Sequence, residues 1–318
     1  MIRRRTLLAA PALVLPAAAR AQAWPARPIS MIVAFGAGGG TDVAARSIAR
    51  FMEKHLGGAS IGVVNRPGAG GEVGWTALAQ AAPDGYTIGF INVPAIVAMT
   101  VEKQTRFTID SFAPIGNIAY DPAILCVRSD SPYASLGAFI QAAKAEPGRI
   151  TVGTSGAPGN SEHLALLVMQ RLTGARINHA PFGGTAPLRT ALLGGHVPAA
   201  TFNLSEGVDQ AAEGNLRILG VMSVEREAMA PDVPTFREQG VDVVAGSSRG
   251  LVAPKGVDAA ILARLQDALA RAINDPEYRE AAIKAKVPLR YMPAEEYGAF
   301  LKKTLEEMRA IWAATPWR

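Results

Sequence analysis

Two glycine-rich loops are the parts of this chain best equipped for chemistry. The first, Gly36-Ala37-Gly38-Gly39-Gly40-Thr41-Asp42, follows the apolar run Ile32-Val33-Ala34-Phe35. The second, Thr154-Ser155-Gly156-Ala157-Pro158-Gly159-Asn160-Ser161, follows Ile150-Thr151-Val152-Gly153. Each lies between an expected strand and an expected helix. The free N–H groups of the helix's first turn and the positive end of its dipole meet there. Glycine lets the backbone approach a ligand with no Cβ in the way. Each loop can therefore cradle an anion such as a carboxylate or a phosphate. Thr41, Asp42 and Ser161 are equally well placed to act as helix N-caps.

Other chemistries fit less well. The first loop has no P-loop lysine, and Thr41 stands where a dinucleotide fingerprint needs its last glycine. The second falls one residue short of a nucleophile elbow, because Ala157 occupies the final glycine position. A secreted serine hydrolase using Ser155 would need an imidazole at that hydroxyl, with His163, His179 and His196 as candidates. No His/Cys/Asp/Glu cluster has metal-ligand spacing, so no metal and no cofactor are expected. Cys126, the sole cysteine, lies in Ile124-Leu125-Cys126-Val127 and reads as a packed strand residue.

The elements that must position these loops alternate along the chain. Short Ile/Val-rich runs alternate with helical-period segments, the pattern of α/β units. A first series has strands at 29–35, 61–65 and 86–91, with a helix carrying Ala44, Ile48, Phe51 and Met52 on one stripe and another near 75–81. A second series has helices at 136–145, 161–173 and 186–193 and strands near 150–153, 177–180, 199–202 and 217–221. Helices at 258–273, 276–285 and 294–313 close the chain. Two series imply two lobes, and the strands at 124–128 and 250–253, where the series change, are candidates for the crossing segments.

Length and charge set the frame. The chain has 318 residues, 49% of them hydrophobic, enough for a large core and roughly two domains. Its 32 Lys and Arg against 27 Asp and Glu give +5. The N-terminus explains most of that charge. Arg3, Arg4 and Arg5 precede an apolar run from Leu7 to Ala19, and Ala21-Gln22-Ala23 follows, the three parts of a secretory signal. Arg4-Arg5-Thr6-Leu7-Leu8 also resembles a twin-arginine signal, so both the general secretory and twin-arginine export routes stand. Loss of residues 1–23, with cleavage near Ala23, removes four arginines and no acid, leaving +1. The remainder has neither a basic run nor aromatic interleaving, so no nucleic-acid partner is expected.

Several motifs in register resemble one family. They are Gly38-Gly39-Gly40-Thr41-Asp42 with Ala45-Arg46, Asn65-Arg66-Pro67-Gly68-Ala69-Gly70-Gly71, and Pro83-Asp84-Gly85-Tyr86-Thr87. Further on come Gly153-Thr154-Ser155-Gly156 with Ser161-Glu162-His163-Leu164-Ala165, Ala180-Pro181-Phe182-Gly183-Gly184-Thr185, Pro231-Asp232-Val233-Pro234-Thr235 and Gly250-Leu251-Val252-Ala253-Pro254. With these the chain resembles the tripartite tricarboxylate transporter substrate-binding proteins, the TctC and Bug receptors. The resemblance implies a Venus-flytrap fold of two α/β domains with mixed, mostly parallel sheets and a C-terminal helical segment. The implied domains are 24–123 plus 252–318, and 124–251.

It also implies a periplasmic monomer without catalysis, which holds a small organic acid (a di- or tricarboxylate, aromatic acid or amino acid) and presents it to membrane permease subunits. A ligand-sensing receptor for a signalling partner would share the same cleft. The implied ligand-binding residues are Phe35, Gly36, Gly38, Gly39, Thr41, Asp42, Thr154, Ser155, Gly156, Asn160, Ser161, His163, Gly184, Thr185, Asn203 and Arg249, with Asn92 a further candidate. Two departures matter. The family's first loop usually carries prolines and this one has none, so it is expected to order on ligand binding. Arg249 stands where relatives often have an aromatic; it either faces the cleft to pair a second carboxylate or is an exposed surface arginine.

Overall fold

The computed structural model describes residues 24–314, Pro316 and Trp317; the expected signal segment lies outside the described residues. In the first lobe β1 (Ile29–Val33) runs parallel between β2 (Ile61–Asn65) and β3 (Thr87–Val93). α1 (Gly40–His55) and α2 (Glu72–Ala79) connect them. α1 buries Ala44, Ile48, Phe51 and Met52, the stripe its 3.6-residue period dictates. α3 (Ala95–Glu102) follows β3 and has no counterpart in the sequence reading. Ile96, Val97, Ala98 and Met99 are all buried, so no polar face reveals the helical period.

The lobes are joined by β4 (Phe112–Arg128) and β9 (Gly246–Pro254), which pair antiparallel from Phe112–Pro254 to Pro122–Gly246. β9 also pairs with β3, while the first half of β4 pairs with β10 (Leu289–Pro293). The second half of β4 pairs with β7 (Ala199–Asn203) and β8 (Leu216–Val221). Local sequence reveals β4 only from Ile124, because Pro114, Gly116 and Pro122 interrupt the earlier pattern. Register shifts between Pro114 and Gly116 and between Asn117 and Ala119 absorb the irregularity.

The second lobe repeats the parallel arrangement, with β5 (Thr151–Thr154) between β6 (Asn178–Pro181) and β7. α4 (Leu136–Ala145) leads in; α5 (Ser161–Thr173) and α6 (Thr185–Leu193) make the connections. α7 (Leu204–Ala212) follows β7 and has no counterpart in the sequence reading. Cys126 is packed inside this sheet: its thiol donates to the Ala200 carbonyl at 3.3 Å, and burial pushes its pKa up. The chain then returns to the first lobe as α8 (Ala259–Asn274), α9 (Pro276–Lys284), β10 and α10 (Ala294–Ala314). Each lobe has its own core, around Met31, Ile48, Phe90 and Leu251 in one and Leu125, Phe139, Val152 and Leu166 in the other. No helix among the described residues is long and apolar enough to cross a membrane.

Candidate functional site

A cavity lies between the lobes, and the N-termini of α1, α5 and α6 reach it, as do Ala95 at the start of α3 and Asn203 and Glu206 at the start of α7. α1 contributes Gly40 and Thr41 from the first lobe; α5 contributes Ser161 and Glu162, and α6 Thr185 and Ala186, from the second. Each first turn brings N–H groups that lack an intrahelical acceptor, together with the positive end of a dipole. Of the residues selected from the sequence, Phe35, Gly36, Gly39, Thr41, Ser155, Gly156, Asn160, Ser161, Gly184, Thr185, Asn203 and Arg249 line the cavity, as does Asn92. Gly38, Asp42, Thr154 and His163 are not among its lining residues.

Those four hold the loops instead. Asp42 bends its carboxylate back to accept the Gly38 N–H at 3.0 Å and hydrogen bonds from Arg46 and Asn65. Burial works against ionisation of Asp42, but the bonds from Arg46, Gly38 and Asn65 outweigh it and hold the carboxyl below its usual range. Asn65 also donates to the Phe35 carbonyl at 3.0 Å. In this closed arrangement two side chains, Asp42 and Asn65, tie the proline-free loop down. The caps also differ from expectation: Gly39 precedes α1, and Asn160, accepting the His163 N–H at 2.9 Å, caps α5.

Thr154 and His163 sit behind the second loop. Thr154 Oγ1 bonds His179 Nε2 at 2.8 Å, and the His163 and His179 rings stack with centroids 4.0 Å apart. Burial, with His179 as a lesser cause, pushes the His163 pKa down to about 4. The imidazole is therefore neutral at pH 7, and its Nδ1 accepts the Gly159 N–H at 3.1 Å.

Two glutamates outside the sequence-based selection also line the cavity. Glu162 accepts both the N–H and the hydroxyl of Ser155 at 2.6 Å. That hydroxyl faces a carboxyl and not an imidazole, which removes the geometry a Ser–His hydrolase needs. Glu206 accepts the Asn203 N–H at 3.3 Å and reaches across the cleft to the Gly40 N–H at 3.1 Å. Asn203 and Glu206 form a capping box, a sequence signature that was available to locate α7 and this carboxylate.

Arg249 is only 1% exposed, which overturns the surface reading. It lines the cavity, yet its guanidinium donates to Asp121 at 2.6 Å and lies 3.5 Å from Glu206. The cation that a second ligand carboxylate would seek is therefore already shared by two acids. Asn92 donates to Thr41 Oγ1 at 2.8 Å and Ser247 Oγ at 3.3 Å, while its Oδ1 is buried without a partner. The lobes are closed on one another. Besides the Gly40–Glu206 bond, Gly70 lies so near Ala157 that a Cβ on it would come within 2.6 Å of that methyl, and Lys286 pairs with Asp209.

The buried carboxyl of Glu162 has a measurable consequence. Burial, reinforced by the Glu206 charge, pushes its pKa up from 4.5 to about 8. The folded protein keeps this proton to higher pH than the unfolded chain, so its contribution to stability is complete below about pH 4.5 and is lost as pH rises through about 8. Buried His163 acts oppositely, losing stability as pH falls from 6.5 to about 4. Between about pH 7 and 8 the Glu162 slope therefore stands clear of His163. Urea unfolding should weaken by up to about 1.4 kcal/mol per pH unit there, and Glu162→Gln should flatten the dependence. An identical slope in both proteins would refute the assignment.

Known proteins share this architecture. The family model described as tripartite tricarboxylate transporter family receptor matches residues 44–315. BugT of Bordetella pertussis is 36% identical over 269 residues, covering 83% of this chain and 81% of BugT. A TctC solute-binding protein from Polaromonas, solved without ligand, is 34% identical with a TM-score of 0.70, covering 92% of this chain and 100% of its own. MatC from Rhodopseudomonas palustris, solved with bound malate, is 28% identical with a TM-score of 0.81, covering 92% and 99%. With the fold, the family match and these relatives in agreement, the chain belongs to the tripartite tricarboxylate transporter receptor family of periplasmic solute-binding proteins.

Proposed function

We propose that this chain is exported, loses residues 1–23 near Ala23, and captures a small carboxylate between its lobes for delivery to permease subunits. The observation that carries this reading is the convergence of the α1, α5 and α6 N-termini on one interlobe cavity. Phe35, Gly36, Gly39 and Thr41 would meet the ligand from one side, and Ser155, Gly156, Asn160, Ser161, Gly184 and Thr185 from the other. Gly38, Asp42, Thr154 and His163 keep these loops in place. Residues 24–123 with 252–318 make one domain and 124–251 the other, hinged at β4 and β9. A ligand touching both domains binds the closed form better and shifts the population toward it. The closed complex is what the permease recognises, and the receptor works as a monomer without catalysis.

The full chain recovered from the periplasm, with co-purified ligand stripped by unfolding and dialysis, supplies the test. Its mass should correspond to a chain starting at Trp24. Calorimetry against succinate, malate, adipate, benzoate and neutral amino acids should find at least one ligand. At about 100 times its Kd that ligand should add about 2.7 kcal/mol of stability. If none of the panel binds, the reading falls.

A further inference from the structure

Every positive feature of this cleft except the free backbone N–H groups is already neutralised by the chain. The Gly40 N–H at the start of α1 is taken by Glu206, and the Ser155 N–H of the second loop by Glu162. Arg249, the one basic side chain among the described lining residues, is held by Asp121 with Glu206 nearby. One cation thus stands against two carboxylates, Glu206 and Asp121, while the buried Glu162 carboxyl beside them is largely protonated near neutral pH. A ligand with two carboxylates would bring like charge to such a wall, the arrangement that specific sites use to reject a competitor.

Two further features say what the wall accepts. Asn92 lines the cavity with its amide nitrogen already spent on Thr41 and Ser247, while its Oδ1 is a buried acceptor without a partner, and an orphan acceptor calls for a donor from the ligand. The α6 N-terminus, by contrast, has no side-chain cap: Gly184 precedes it, and no carboxylate of the chain caps its first turn. The cavity therefore pairs one unfilled anion cradle with a set of acceptors.

We infer that the ligand is a zwitterion with a single carboxylate and a protonated amine, the carboxylate at the α6 N-terminus and the amine among Glu206, Asn92 Oδ1 and Glu162. This rests on the carboxylate-receptor reading and narrows it. Glu206 and Glu162 are then specificity determinants that select for the amine and against a second carboxylate. Part of the stabilisation that raises the proton affinity of Glu162 would be reversed by a bound ammonium, so amine binding should release a proton near neutral pH.

Calorimetry on the stripped protein at pH 7.5 can decide the matter with three matched series: α- and ω-amino acids, α,ω-dicarboxylates and simple monocarboxylates, each of three to six carbons. The best amino acid should bind about tenfold or more tightly than the best dicarboxylate and the best monocarboxylate. Glu206→Gln should weaken the amino acid about tenfold or more while leaving the monocarboxylate within about threefold. Glu162→Gln provides a second variant should the first misfold, and the wild-type ranking stands independently of both. A dicarboxylate that binds wild type more tightly than every amino acid overturns the inference and leaves the carboxylate reading intact. Glu206→Gln that strengthens dicarboxylate binding without weakening the amino acid would likewise overturn it, making Glu206 a latch that a ligand carboxylate displaces. If none of the three series binds, the carboxylate reading falls with it.

Discussion

Replacing Arg249 by methionine is expected to cost about 3–5 kcal/mol of stability, because it leaves buried carboxylates without their cation. Asp121 is fully buried, with the guanidinium 2.6 Å away, and Glu206 stands 3.5 Å from the same group. The loss is large against the 5–15 kcal/mol that typically separates folded from unfolded states. Asp121 would keep the Ser205 N–H and hydroxyl, at 3.1 and 2.5 Å, which limits the damage but does not replace a positive charge. The pair also has a mechanical position. Asp121 lies on β4 and Arg249 on β9, the two strands that join the lobes, so the ion pair ties these crossing strands together. Urea denaturation is the measurement, with Asp121→Asn/Arg249→Met as the companion. The double variant should recover part of the loss, since it removes the stranded charge. A single variant within about 1 kcal/mol of wild type would mean that this network does not hold the crossing strands.

Gly40→Ala should disable closure. A Cβ at this position would lie 2.4 Å from Arg249 Nη2 and 2.6 Å from its central carbon. The far end of an arginine normally yields, but this one is fixed by Asp121 in a fully buried site. Something must shift, and the candidates are the guanidinium or the α1 N-terminus that carries the Gly40–Glu206 bond across the cleft. Overpacking of this kind costs about 1–3 kcal/mol. The larger effect falls on ligand binding, which needs both lobes: a loss of about 100-fold, corresponding to about 2.7 kcal/mol, is expected. Small-angle scattering should show a more open molecule than wild type. Gly62→Ala is the control, because its Cβ would project into open space on β2. Wild-type affinity in Gly40→Ala would show that the contact is not required for capture.

Much of the scaffold is legible in local sequence because its signals act over a few residues. α4 and α5 have the bounds read from the chain. Ser135 accepts the Ala138 N–H at the start of α4, Asn160 caps α5, and Gly174 ends α5 in the left-handed region at φ 74°. The glycine loops are legible in the same way, as strand, glycine, helix. What was missed lacked such marks. α3 is apolar without interruption from Ala95 to Met99, so a helix and a buried strand look alike. The first half of β4 contains prolines and glycines that its neighbours accommodate by register shifts. Asp42 and His163 carry cleft chemistry by type, and only their partners, Gly38 and Gly159, reveal that they brace the loops.

Local sequence is enough for the α/β units and the two glycine loops, for the expectation of an export signal, and for the resemblance to the receptor family to which the chain belongs. These rest on periodicity, capping and glycine placement, each decided within one turn or one strand. The tertiary structure decided where the charges go. It set Glu206 against Gly40 across 166 positions and Arg249 against Asp121 across 128. A charged side chain has no local preference for one distant partner over another. The choice is made only when the lobes close and desolvation makes an unpaired charge too costly to leave, so the polarity of the cleft belongs to the assembled fold.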